Sequence, residues 1–106
     1  MFKTKLAIAC IAAMLASSVA FAADEAMHEA HRKMDKEMQA GMESSGSPEE
    51  KFMRMMIPHH QGAVDMSRLA LPDIKDAELR RMVEKTMREN QKEIEEMQAW
   101  LKKHGK

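Results

Sequence analysis

Cysteine is all but missing from this 106-residue chain: its one copy, Cys10, sits in the leading apolar stretch, so nothing downstream can close a disulfide. Net charge is missing as well. Seventeen Lys and Arg balance 17 Asp and Glu, which leaves no basic excess of the kind that nucleic acid attracts. The apolar run from Leu6 to Ala16 is followed by Ser17 and Ser18 and falls short of the ~20 residues a membrane-spanning helix needs. No stretch alternates apolar and polar as a half-buried strand would, and no internal repeat or low-complexity tract is present. No Ser/His/Asp or Cys/His arrangement offers a nucleophile with its base, so nothing argues for an enzyme. No acidic loop offers the converging carboxylates of a calcium or magnesium site.

The leading segment reads as an export signal. Lys3 and Lys5 supply a positive start, Leu6 to Ala16 the apolar stretch, and Ala20-Phe21-Ala22 a small-x-small cleavage site, so the expected mature chain begins at Ala23 and is exported. Cys10, preceded by Leu6-Ala7-Ile8-Ala9, also admits lipid attachment, but cleavage there would leave an unusually short signal. The expected organisation is therefore signal peptide 1–22, an N-terminal Met/His-rich helix and linker 23–47, and a helical hairpin 48–106. Without Lys3 and Lys5, 15 basic side chains face 17 acidic ones. A core drawn from 84 residues is marginal, and self-association or metal binding would supplement it.

Proline is present three times and glycine four times, and Gly46, Pro48 and Pro72 mark the divisions. From Asp24 to about Met42, the positions of Met27, His31, Met34, Met38 and Met42 share one face of a helix. Glu43-Ser44-Ser45-Gly46-Ser47 breaks it. Ser47, Pro48, Glu49 and Glu50 then form a helix start, with Ser as N-cap, Pro at the first position and Glu closing a capping box. The second helix is expected to reach about Leu71 with Phe52, Met55, Met56, His59, Ala63, Met66 and Ala70 facing inward. Pro58 removes a backbone donor and crowds the Arg54 carbonyl, so a kink or local break is expected there. After Leu71-Pro72-Asp73, a third helix from about Asp76 to Lys103 carries Leu79, Val83, Met87, Asn90, Ile94, Met97 and Leu101 near a heptad seam. The fold class is all-α: an antiparallel helical hairpin plus an N-terminal helix.

What the chain does have is methionine, 13 copies, with five histidines. A methionine stripe is more often core filler than a ligand set. Here the proportion argues otherwise, because the segment after residue 22 holds eleven methionines against four leucines, three isoleucines and two valines. Thioether sulfur suits soft Cu(I) and Ag(I), needs no deprotonation and survives where thiols oxidise; imidazole adds a donor that also accepts Cu(II). Two clusters follow from the spacing. The first is Met27, His28, His31, Met34 and Met38; short exposed segments of this kind are as readily just solvated. The second gathers Met56 and His60 four apart, Met55 and His59 four apart, and Met66 two turns beyond His59. His59 and His60 point about 100° apart on a regular helix, so one ion takes both only if Pro58 turns them together.

These residues resemble a known family. Phe52 and the run Met56-Ile57-Pro58-His59-His60-Gln61-Gly62-Ala63-Val64-Asp65-Met66, followed by Glu78, Gln91, Glu93-Ile94, Met97 and Trp100-Leu101, are similar to the domain-of-unknown-function family of exported MxPHHxxxxxM proteins, with its CopM-like periplasmic copper-binding members. The resemblance covers about residues 49–103. It implies a ferritin-like helical bundle, export to the periplasm, copper binding or resistance, and metal ligation by Met56, His59, His60, Met66 and Met97. The chain departs from the longer members in having only one copy of the helical unit. A single copy would close its bundle as a homodimer or by folding the first helix back. The resulting expectation is a non-enzymatic protein that sequesters Cu(I) or passes it between periplasmic donor and acceptor proteins, with no nucleic acid and no membrane span in the mature chain. The alternative is a periplasmic chaperone or interaction module whose methionine-rich groove binds apolar partners.

Overall fold

The computed structural model describes the backbone of residues 2–105 and the side chains of residues 19–105. Three helices follow one another: α1 (Phe2–Glu43), α2 (Pro48–Ala70) and α3 (Ala77–His104), with a 3-10 turn at Leu71–Asp73 before the last. The chain is all-α, as its periodicity implies. The side chains of Lys3, Lys5 and Cys10, on which the export and lipid readings draw, lie outside the described residues. α1 begins at Phe2, well ahead of the expected Asp24. The stretch ahead of Asp24 is rich in alanine and has no proline or glycine to stop the helix. None of the helices is long and apolar enough to cross a membrane, among the described residues.

The helix starts after α1 follow the sequence signals closely. Ser47 caps α2, its side chain accepting from the Glu50 backbone N–H at 3.2 Å, with Pro48 in the first turn. Asp76 caps α3 by accepting from the Leu79 N–H at 2.7 Å. Each cap satisfies an amide that the helix itself leaves without a partner. Between α1 and α2 the chain reverses at Gly46, whose φ of 125° lies in a region that side chains with a Cβ rarely enter.

α2 is the middle of the molecule. α1 packs along one side of it and α3 along the other, and among the described residues α1 and α3 do not pack on each other. The result is an open layer, 73 × 29 × 15 Å, rather than a closed bundle. The buried core is correspondingly thin: among the described residues, Val64 and Ile94 are its buried hydrophobic side chains. This corrects the expected inward stripe of α2. Pro58, Gly62 and Val64 are the buried positions, whereas Phe52 is 53% exposed and His59 is exposed. With neighbours on opposite sides, α2 needs two packing seams roughly half a turn apart, and the stripe lies between them. On α3, Ile94 is buried and Leu79 exposed, with Val83, Met87, Met97 and Leu101 in between.

α2 also runs unbroken through Pro58, so the expected local break does not occur. Pro58 leaves the Arg54 carbonyl without its usual helical donor. Gly41 of α1 packs against that same carbonyl, and a Cβ on Gly41 would collide with it. Farther along, the Met34 side chain fills the notch over Gly62. Two glycines, one on each helix, thus draw α1 and α2 together.

Candidate metal-binding groove

The α2–α3 seam opens at one end into a groove of about 480 Å³ lined by Phe52, Met53, Met56 and His60 from α2 and by Glu93, Glu96, Met97 and Trp100 from α3. Met53, Met56 and His60 fall within two turns on the α3-facing side of α2; Glu93, Met97 and Trp100 do the same on α3. Antiparallel packing brings the two sets to one level. Three of the sequence-predicted ligands, Met56, His60 and Met97, therefore share one groove.

The His60 ring is fixed at both nitrogens. Nδ1 lies 2.8 Å from the Met56 carbonyl oxygen, which can only accept, so Nδ1 carries a hydrogen and donates it. Nε2 lies 2.6 Å from Oε2 of Glu93. Two acceptors do not face one another at that distance, so the contact is a hydrogen bond between imidazole and carboxylate, with no room for a metal ion between the two atoms. His60 is mostly covered, its side chain 18% exposed, and Glu93 is 55% exposed, so the pair opens to water on the Glu93 side. Beyond it, the Trp100 indole stacks on the His104 ring with centroids 4.5 Å apart and planes 17° from parallel. Trp100 thus forms an end wall of the groove.

His59 and Met66 do not line this groove. The His59 and His60 rings meet edge to face with centroids 5.8 Å apart, but His59 is exposed and His60 has both nitrogens engaged. The first-helix cluster is likewise divided. His28 and His31 are exposed, His31 placing Nδ1 3.2 Å from Asp35, while Met27, Met34 and Met38 are half-buried. Met34 is taken up by packing over Gly62. On α1, the hydrogen bonds that Arg32 donates to Glu29 first and then to Glu25 raise its guanidinium above its ordinary pKa, on an exposed surface away from the groove.

Sequence reasoning did not identify Glu93, Met53 or Glu96 as groove residues. Glu93 stands one turn before Met97 on the same helix, a spacing that places a carboxylate beside any ligand at Met97. Its pairing with His60 across 33 positions depends on the hairpin register. Among the described residues, no group of three or more His, Cys, Asp and Glu side chains is placed to hold one ion. A metal in the groove would accordingly draw on thioether sulfur. Comparison with curated proteins finds no match for the chain. Residues 49–106, which include all of α3 and nearly all of α2, match the domain of unknown function DUF305, and the chain belongs to that family.

Proposed function

We propose that this is an exported, non-enzymatic copper-binding protein that takes Cu(I), with Ag(I) as a mimic, in the α2–α3 groove and sequesters it or hands it on in the periplasm. The observation that carries the reading is the convergence of Met56, His60 and Met97 from two helices on one groove. Two thioethers and an imidazole form a soft, largely neutral donor set that favours Cu(I) over zinc, calcium or magnesium. His60 suits this role: with its hydrogen held on Nδ1 by the Met56 carbonyl, Nε2 binds a metal once the more than half-exposed Glu93 carboxylate gives up its 2.6 Å contact. Glu93 balances cationic charge there and supplies an oxygen donor better suited to Cu(II). The resemblance to CopM-like proteins and the export-like leader support the same reading.

The test is anaerobic titration with Cu(I) against a chromophoric chelator, with zinc as control. Trp100, the chain's only tryptophan and part of the groove wall, serves as fluorescent reporter. Binding that perturbs Trp100 emission while zinc leaves it unchanged is the expected result. Replacing Met56 and Met97 by Leu and His60 by Gln should remove that event and leave the helical signal intact. A Trp100-linked Cu(I) affinity unchanged by those replacements would refute the groove as the site.

A second reading takes the groove as a docking place for apolar peptide, and the exposed Phe52 favours it. It predicts that a methionine- and leucine-rich helical peptide perturbs Trp100 while Cu(I) does not.

A further inference from the structure

His59 and the outer methionines remain outside the groove, and the packing of α1 on α2 indicates what they do. Two contacts set the register: Gly41 lies on the Arg54 carbonyl and Met34 lies over Gly62. Eight residues along α2 therefore answer to seven in the opposite direction along α1. On that register His59 falls level with Lys36 and Glu37, within about two residues of Met38, and Met55 falls level with about Ala40. The flank follows from helix handedness. In antiparallel right-handed helices, residues displaced from the shared seam by a positive rotation on each helix project to the same flank. At 100° per residue, His59 lies about 100° beyond Pro58 and Met55 about 60° beyond it; Met38 lies about 40° and Met42 about 80° beyond Met34. All four displacements are positive. Met38 and Met42 are one turn apart on α1, Met55 and His59 one turn apart on α2, and Gly41, which rests on the α2 backbone, lies between the two methionines.

We propose that Met38, Met42, Met55 and His59 form a second soft-cation site astride the α1–α2 seam, distinct from the α2–α3 groove. The proposal rests on the copper reading of the groove. Burial fits the role poorly filled by packing alone: Met42 is 54% exposed, His59 is exposed, and Met38 and Met55 are half-buried. Long, flexible methionine side chains at the rim of a close helix contact can converge on an ion there, and three thioethers with one imidazole match Cu(I) or Ag(I). Met38 and Met42 precede the matched family segment, residues 49–106, so this site joins the N-terminal helix to the family domain. A cation held there would couple the docking of α1 to metal load.

The experiment counts Cu(I) equivalents bound by the full chain under anaerobic conditions against a chromophoric chelator, with circular dichroism to check the fold. The wild-type chain should bind two equivalents, and only one should perturb Trp100. The Met38→Leu/Met42→Leu variant, nearly volume-conserving, and separately His59→Gln, at an exposed position, should each lose the equivalent silent to Trp100 and retain the other. If both variants keep the wild-type stoichiometry and affinities, the seam site is refuted while the groove stands. If the wild-type chain binds a single equivalent that Trp100 reports, the seam site is refuted in the same way. If the wild-type chain binds no Cu(I), the copper reading fails and the seam site fails with it.

Discussion

Replacing Gly41 with alanine tests how α1 docks, because two opposing effects predict opposite signs. In an isolated helix the change stabilises by about 1 kcal/mol, since glycine is a poorer helix former than alanine. In the folded chain the new Cβ would meet the Arg54 carbonyl oxygen and carbon and the Met55 nitrogen. These are backbone atoms in the interior of α2 and cannot rotate away, so α1 must move off the seam. Overpacking of this kind costs about 1–3 kcal/mol, with the upper end expected for a backbone obstacle that also lifts Met34 from its notch. The expected net effect is a loss of about 1–2 kcal/mol, or a Tm lower by at least about 4 °C for a domain of this size. Thermal unfolding followed by circular dichroism at 222 nm measures it. Gly62→Ala is the internal control: the atoms nearest its new Cβ belong to the side chain of Met34, which can take another rotamer, so a smaller loss is expected. A Tm for Gly41→Ala above the wild-type value would refute the reasoning, because it would mean that α1 does not rest on the Arg54 carbonyl.

Two further outcomes follow from the caps and the groove. Ser47→Ala removes the acceptor for the Glu50 amide and should cost about 1 kcal/mol, read as a lower urea midpoint with an unchanged m-value; an unchanged midpoint would deny the cap its role. Glu93→Gln removes the carboxylate from His60 Nε2, but Glu93 is more than half exposed, so the stability change should stay below about 1 kcal/mol. The same variant should weaken Cu(II) more than Cu(I), because the carboxylate is the harder donor; equal losses in competitive titrations of both ions would contradict the division of roles drawn here.

How far the site was legible in the sequence varies from residue to residue. Met56 and His60 are one turn apart, so their common face could be read from helical spacing alone. Met97 could be set on the facing side of the next helix by its heptad position. Glu93 could not be assigned, because its contact with His60 requires knowing which turn of α3 lies beside which turn of α2. Helical spacing and a shared motif group His59 and Met66 with His60, yet a 100° step separates His59 from its neighbour and the structure leaves both outside the groove. The expected inward stripe of α2 failed for a related reason. Periodicity identifies an amphipathic helix, but it does not say whether partner helices come from one side or from two.

The sequence by itself determined the all-helical class, the divisions at Gly46-Ser47-Pro48 and Pro72, the capping residues and the unusual supply of thioether and imidazole donors. These are local properties, set by backbone propensity, by hydrogen bonds within one turn and by side-chain chemistry. Only the tertiary structure decided that α2 stands between α1 and α3, that Gly41 rests on the carbonyl Pro58 leaves without a donor, and that the two histidines of one motif face different surroundings. Those depend on interhelical register and on which side each neighbour packs, and contacts between residues distant in the chain fix both.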